Sequence, residues 1–268
     1  MNISLNHIIC PHLSYAQFFE LAYDLKIPNL EIRNDLPNLD FNKIDKGEIN
    51  ELKSKFNINI ISINALQKFN IWNPDREKEF VFLCDIANKI KCKGIVLVPI
   101  NENITLEESE RLFLLDKSLK KMDLILSDYN LKGFVEPLGF KSSSLRFKSE
   151  IVKIFENYNN NHSFALVHDT FHHIVAQETE IYPNHTGLIH ISGVNNNNLV
   201  VSDFTDDLRE LISDYDRINN VEQIKYFLDN NYKGCFSIEP FSSEVQNSPE
   251  LKESIESCII FLKKKLKI

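Results

Sequence analysis

The stretch Gly133-Phe134-Val135-Glu136-Pro137-Leu138-Gly139-Phe140 has the apolar character of a buried strand but carries a carboxylate near its end. An ionised carboxylate in apolar surroundings must be paired, shift its pKa or bind a metal, so Glu136 is a candidate site residue. The same pattern returns in residues 235–241, where Glu239 follows another strand-like run. Between these two stretches, the runs 165–169 and 187–191 carry Asp169 and His190 near their ends.

Short apolar runs alternate with segments of helical spacing along the whole chain. The runs are 3–9, 29–33, 58–65, 94–100, 133–138, 164–169, 187–194 and 234–241. Strands that alternate with amphipathic helices are typical of parallel sheets. Eight such units predict an α/β fold, a single-domain (β/α)8 TIM barrel over residues 1–268. The alternative is an open doubly wound sheet, but no glycine-rich phosphate-binding loop follows the first run.

The composition narrows the class of protein. The 268 residues include 38 acidic and 30 basic ones, and the net charge of -8 argues against a nucleic-acid partner. The five cysteines are scattered and form no C-x-x-C pair, which indicates neither a disulfide framework nor a cysteine zinc site. Without an export signal or an apolar run of about 20 residues, we expect a cytoplasmic protein with no membrane partner.

In a TIM barrel the active site lies at the carboxyl ends of the strands. The polar residues predicted at those ends are His7, Arg33, Asn64, Gln67, Glu136, His168, Asp169, His190 and Glu239. Glu136, Asp169, His190 and Glu239 come from four neighbouring strands, so their side chains can converge. Three carboxylates and one imidazole suit Mn²⁺, Mg²⁺, Zn²⁺, Co²⁺ or Fe²⁺, and the sequence does not choose among them.

Each candidate ligand residue could instead have a purely structural role. A single buried carboxylate can pair with Arg or Lys, and a single core histidine can be satisfied by a backbone carbonyl. Four neighbouring strand ends that each supply a ligand are hard to obtain from packing alone, which favours a metal site. His172 lies three residues after Asp169 and could orient a ligand or contact a substrate.

Seven stretches spread along the chain form a recognisable set: 31–35, 63–70, 135–140, 166–173, 190–194, 216–220 and 237–241. Through them, the chain resembles the xylose isomerase-like TIM-barrel superfamily of sugar isomerases and epimerases over nearly its whole length. Within that superfamily, it is most similar to bacterial 2-keto-myo-inositol (inosose) isomerases.

The resemblance implies a set of roles for individual residues. It implies one divalent metal ion per chain (Mn²⁺, Zn²⁺, Co²⁺ or Mg²⁺) and proton transfer through a cis-enediol, with a homodimer as a possible assembly. The implied metal ligands are Glu136, Asp169, His190 and Glu239, of which Glu136 and Glu239 form the acid/base pair. The implied contacts with a small keto-polyol substrate are His172, Arg217, Arg33, Asn64 and Gln67.

One segment departs from the family pattern. Family members usually carry an Asp-x-His-Arg run after the seventh strand, whereas this chain has Asp206-Asp207-Leu208-Arg209. Loss of that histidine could change the substrate or the activity, so we keep Asp206 and Arg209 out of the predicted catalytic set.

Four functions remain open at this stage. The leading one is an inosose isomerase of inositol catabolism, and the second is a keto-sugar 3-epimerase or hydroxypyruvate-type isomerase. An endonuclease IV-like phosphodiesterase would require more metal ligands and a basic face. A degenerate barrel that binds sugar and metal without turnover is kept open by Leu208.

Overall fold

The computed structural model of the chain describes residues 1–104, 106–158 and 162–268. Eight strands in these residues pair in parallel and in chain order, and β8 pairs with β1, so the sheet closes into a barrel. The strands are β1 (Asn2–Asn6), β2 (Asn29–Arg33), β3 (Asn59–Gln67), β4 (Gly94–Val98), β5 (Lys132–Val135), β6 (Phe164–Asp169), β7 (Thr186–Ile191) and β8 (Cys235–Ile238).

Every strand is followed by a helix, which confirms the predicted (β/α)8 TIM barrel. The helices are α1 (Tyr15–Asp24), α2 (Lys46–Phe56), α3 (Pro74–Lys89), α4 (Glu108–Tyr129), α5 (Lys148–Asn157), α6 (Thr170–Ala176), α7 (Asn220–Asp229), α8 (Ser243–Gln246) and α9 (Leu251–Leu266). No helix within the described residues is long and apolar enough to span a bilayer.

All eight predicted runs contain a strand, but several strands end earlier than predicted. β1 stops at Asn6 because the next three residues form a 3-10 turn, which Asn6 caps by accepting the Ile8 N–H at 3.1 Å. β5 stops at Val135, two residues before Pro137, which has no backbone donor for the ladder. Glu136 therefore lies just past its strand, at the mouth of the barrel.

Side-chain alternation along the strands decides which residues reach the barrel interior. Phe134 and Leu188 belong to an apolar cluster inside the barrel. Their chain neighbours Val135 and Ile189 pack in the core shared with the helices. Glu136 lies two residues beyond Phe134, and His190 two beyond Leu188, so both side chains face inward above the apolar cluster.

Asp169 is held in place by the turn from β6 into α6. Its Oδ1 accepts the backbone N–H groups of Phe171 at 2.8 Å and His172 at 3.0 Å, which makes it the N-cap of α6. The cap fixes the orientation of the carboxylate and leaves Oδ2 for contacts at the barrel mouth.

Candidate metal centre and substrate pocket

The four predicted ligand residues meet at the carboxyl end of the barrel. Ligand atoms of Glu136, Asp169, His190 and Glu239 all lie within 4.8 Å of one another, and the four residues are buried. His190 Nδ1 is 2.7 Å from Glu136 Oε1, 3.2 Å from Glu239 Oε2 and 4.0 Å from Asp169 Oδ2. In the part of the chain that the structure describes, no second group of this kind is found.

The other ring nitrogen of His190 faces a further carboxylate, that of Glu31. Sequence reasoning proposed no role for this residue. His190 Nε2 lies 3.2 Å from Glu31 Oε1, and both side chains are fully buried. Ser62 donates a short hydrogen bond to Glu31, and Asn6 donates another at 3.3 Å. If Nε2–H donates to Glu31, the lone pair of His190 Nδ1 is directed at the three carboxylates.

Two buried arginines also form hydrogen bonds with these carboxylates. Arg209 Nη2 donates to Asp169 Oδ2 at 2.7 Å and to Glu239 Oε2 at 2.8 Å. Arg33 Nη1 donates to Glu239 Oε1 at 3.2 Å. Both guanidinium groups lie over the ring of Phe241, at 4.6 Å for Arg209 and 5.6 Å for Arg33. Arg209 is thus part of the site, although sequence reasoning left it out.

The charges around the site shift three pKa values. Burial alone lowers the pKa of His190, but the carboxylates of Glu239, Glu31 and Glu136 outweigh it and raise that pKa well above its usual value. Burial likewise favours the neutral acid at Asp169, but the Arg209 guanidinium lowers the pKa of Asp169 to about 2. At Glu239 the effect of burial, together with the negative charge of Glu136, outweighs that of the nearby cations and raises the pKa to about 7.

The residues present fit one divalent cation. Four carboxylates and two guanidinium groups are buried together at the barrel mouth: Glu31, Glu136, Asp169, Glu239, Arg33 and Arg209. With all four carboxylates ionised, this set has an excess of two negative charges. Buried charges must be paired or bind a metal. Oxygen and imidazole donors suit Mn²⁺, Zn²⁺, Co²⁺ or Mg²⁺, so the site could hold one such ion.

A small cavity of about 170 Å³ opens at the site, and two of the four predicted ligand residues, Glu136 and Glu239, line it. Its lining residues are Arg33, Asn64, Gln67, Val98, Glu136, Leu138, His172, Asp206, Arg209, Glu239 and Phe241. Four of the five side chains predicted to contact substrate are therefore at the cavity: Arg33, Asn64, Gln67 and His172. The volume is below the range typical of drug-sized ligands, so the cavity fits a small molecule.

Arg217, the fifth predicted substrate contact, does not line this cavity. Its Nη1 donates to the carbonyl oxygens of Asn196 and Leu199, both at 2.6 Å, and its guanidinium lies over the ring of Phe204. Two backbone acceptors fix the side chain on the segment between β7 and α7. In the structure Arg217 holds this segment and contacts none of the ligand residues.

Leu208, which stands at the expected histidine position, also lies outside the cavity lining. It packs against the apolar cluster of Phe171, Val194, Phe204 and Ile218. Its neighbours Asp206 and Arg209 do line the cavity. The leucine therefore removes no ligand from the set of four around His190.

Comparison with curated protein sequences finds no match, whereas solved structures share the fold over nearly the full length. A xylose isomerase domain containing protein from Salmonella typhimurium LT2 is 27% identical, with 97% of each chain covered and a TM-score of 0.89. The IOLI protein, solved with a binding zinc atom, is 17% identical, with 100% of this chain and 98% of that chain covered and a TM-score of 0.86.

An epimerase has the same fold. D-psicose 3-epimerase from Clostridium cellulolyticum H10, solved with D-tagatose, is 17% identical, with 99% of each chain covered and a TM-score of 0.76. A family model described as xylose isomerase-like TIM barrel matches residues 17–265 of the present chain. The protein is therefore a member of the xylose isomerase-like TIM-barrel family.

Proposed function

We propose that the protein is a divalent-metal-dependent isomerase of small, uncharged keto-polyols, with 2-keto-myo-inositol (inosose) as the first candidate substrate. The observation that carries the proposal is the convergence of Glu136, Asp169, His190 and Glu239 next to a small cavity that Glu136 and Glu239 line. The resemblance of the sequence to inosose isomerases supports the choice of substrate, and the zinc atom in the IOLI structure supports the metal.

The metal would be held by Glu136, Asp169, His190 and Glu239. A divalent ion there supplies Lewis-acid stabilisation of the negative charge that develops on substrate oxygens. Glu136 and Glu239 flank the same point, since Glu136 Oε1 and Glu239 Oε2 both lie within 3.2 Å of His190 Nδ1. One of the two, as a carboxylate, would remove the proton from the carbon next to the carbonyl, and the other, as the neutral acid, would donate a proton to the former carbonyl carbon. The hydroxyl proton of the first carbon moves to the former carbonyl oxygen, so that the carbonyl and the hydroxyl group exchange places.

The hydrogen bonds in the cavity favour an uncharged substrate. Arg33 donates to Asp35 at 2.7 and 2.8 Å besides its bond to Glu239, and Arg209 is shared among carboxylates. Because protein carboxylates already balance the charge of both guanidinium groups, a substrate carboxylate or phosphate is disfavoured here. This pairing also disfavours a phosphodiesterase on nucleic acid.

Other polar groups of the cavity remain for substrate hydroxyls. His172 Nδ1 is buried and has no hydrogen-bond partner among the described residues, although its ring lines the cavity. The amides of Asn64 and Gln67 line the same cavity. A polyol offers hydroxyl groups that match these donors and acceptors.

A keto-sugar 3-epimerase is the second candidate. Two carboxylates around one point can also deprotonate a single carbon and reprotonate it on its other face.

The test of both candidates is turnover by metal-free protein that is reloaded separately with Mn²⁺, Co²⁺, Zn²⁺ and Mg²⁺. Each reloaded protein is offered inosose, a ketohexose and hydroxypyruvate. Product from inosose alone supports the first candidate, and C3-epimerised ketohexose supports the second. Absence of product from every pair of metal and substrate would contradict both.

Replacing Glu31 with glutamine should weaken metal binding by about 10- to 100-fold, the usual cost of losing the group that orients a ligating histidine. The glutamine amide can donate to His190 Nε2 and so favour the wrong tautomer. The measurement is the Kd for Zn²⁺ by competition with a chromogenic chelator. Ser62→Ala, which removes one donor to Glu31 but keeps the carboxylate, is the matched control with a smaller expected loss. An unchanged Kd in the Glu31 variant would remove Glu31 from this role.

Replacing Arg217 with methionine should loosen the segment 195–208 but change kcat/KM by less than about threefold, which corresponds to about 0.7 kcal/mol. The guanidinium bonds two carbonyls of that segment and does not line the cavity. Limited proteolysis and steady-state kinetics measure the two effects. A large rise in KM with unchanged proteolysis would instead support the substrate-binding role expected from the sequence.

A further inference from the structure

We propose that Arg209 limits the site to one metal ion, because its guanidinium stands where a second divalent cation would otherwise bind. The inference rests on the metal-binding part of the proposed function and concerns the number of ions rather than the substrate. It gives Arg209 a positioning role, because the guanidinium acts through the carboxylates that it bonds and not on the substrate.

Three carboxylates surround the Arg209 guanidinium. Besides Asp169 and Glu239, Asp206 accepts from Arg209 Nη1 at 3.2 Å. Ser192 Oγ accepts from Arg209 Nε at 3.0 Å. The arginine is only 1% exposed, and the Phe241 ring covers one face of it. Three oxygen donors around a buried cation are a set that hard divalent ions also use.

The guanidinium and the first metal would share the same two oxygens. Asp169 Oδ2 and Glu239 Oε2, which bond Arg209 Nη2, are also the oxygens that approach His190 Nδ1, at 4.0 and 3.2 Å. A carboxylate oxygen has two lone pairs, so it can bind one ion and also accept one N–H. A second ion would need the lone pairs that Arg209 now occupies.

The charges favour the same conclusion. With all four buried carboxylates ionised and both arginines in place, the buried set has an excess of two negative charges, which matches one divalent ion. Without Arg209 that excess rises to three, and Asp206 loses the cation to which it is bonded. The three oxygens freed by the arginine would then be available to a second ion.

The test counts Mn²⁺ bound per folded chain by equilibrium dialysis with metal analysis, and records electron paramagnetic resonance spectra for exchange coupling between ions. Arg209→Lys keeps one cation, and Arg209→Met removes it. We expect one Mn²⁺ in the wild-type protein and in Arg209→Lys, and two coupled Mn²⁺ ions in Arg209→Met. Adding Asp206→Asn to Arg209→Met should return the count to one.

The possible outcomes separate this inference from the proposed function. One Mn²⁺ in both the wild-type protein and Arg209→Met would overturn the inference and leave the metal-dependent isomerase intact. Two ions in the wild-type protein would also overturn it. No ion in the wild-type protein would overturn the proposed function itself. Circular dichroism checks folding, and if Arg209→Met is unfolded, Arg209→Gln serves in its place with the same expected count of two.

Discussion

Replacing Glu239 with glutamine should abolish isomerisation while leaving the barrel folded. Glutamine has nearly the same volume and can still accept hydrogen bonds from Asn6 and Arg33, which now bond Glu239 Oε1 at 2.9 and 3.2 Å. It cannot accept a proton from carbon. Loss of a general base alone typically costs about 10²- to 10⁴-fold in rate, and here one metal ligand is weakened as well. Steady-state kinetics with the reloaded enzyme and circular dichroism measure the two parts of the prediction.

Glu110→Gln, on the exposed face of α4, is the control for removal of one negative charge and should retain wild-type turnover. If Glu239→Gln keeps more than a few per cent of the activity, Glu239 is not part of the proton transfer. An unfolded variant would mean that the carboxylate is needed for the barrel, and Glu239→Asp, which keeps the charge, would then test the chemistry.

Removing the metal should lower the melting temperature. Ligands from four strands surround one point, so an ion that binds only the folded chain ties half of the barrel together. At a free metal concentration of 100 times Kd, binding stabilises the fold by about 2.7 kcal/mol. For a chain of this size that corresponds to a shift of roughly 5–10 °C. Differential scanning fluorimetry of chelator-treated protein, with and without added Mn²⁺ or Zn²⁺, measures it.

The double variant Glu136→Gln/Glu239→Gln is the control for this shift, because it lacks two of the four ligands and should not respond to metal. A wild-type melting temperature that is the same in stripped and reloaded protein would argue against a metal site in this barrel.

Sequence alone predicted the fold and the convergence of the four candidate ligand residues for one physical reason. Eight apolar runs define eight strands, and a barrel brings the carboxyl ends of its strands to one face. Glu136, Asp169, His190 and Glu239 break or end buried runs, so their polarity is conspicuous. Whether they bind metal and catalyse the reaction is the prediction that the experiments above address.

The residues that sequence reasoning missed gave weaker signals or none. Glu31 lies in the middle of the run 29–33, whereas site residues are expected at the carboxyl ends of strands. In the structure Arg33, at the end of that run, pairs with Asp35 and Glu239. Arg209 lies in the long segment between β7 and α7, where no periodicity indicates which side chains turn inward.

Arg217 is the opposite case, a residue that was predicted to contact substrate but does not line the cavity. Its position matches a substrate-binding arginine of the family, yet two carbonyls of the segment between β7 and α7 hold its guanidinium. The path of that asparagine-rich segment is set by packing of Phe204 and Leu208 on α6 rather than by a strand or helix pattern. Sequence therefore predicts poorly which of its arginines reaches the cavity.

The most direct test of the central claim is the uptake of solvent deuterium by inosose at the carbon next to its carbonyl. Metal-free protein, protein reloaded with each divalent ion, and reloaded Glu239→Gln are compared by mass spectrometry. A metal-dependent isomerase that works through two carboxylates predicts deuterium in the substrate or product only with reloaded wild-type protein. Equal exchange by the metal-free protein, or no exchange of any keto-polyol although the metal is bound, would contradict it.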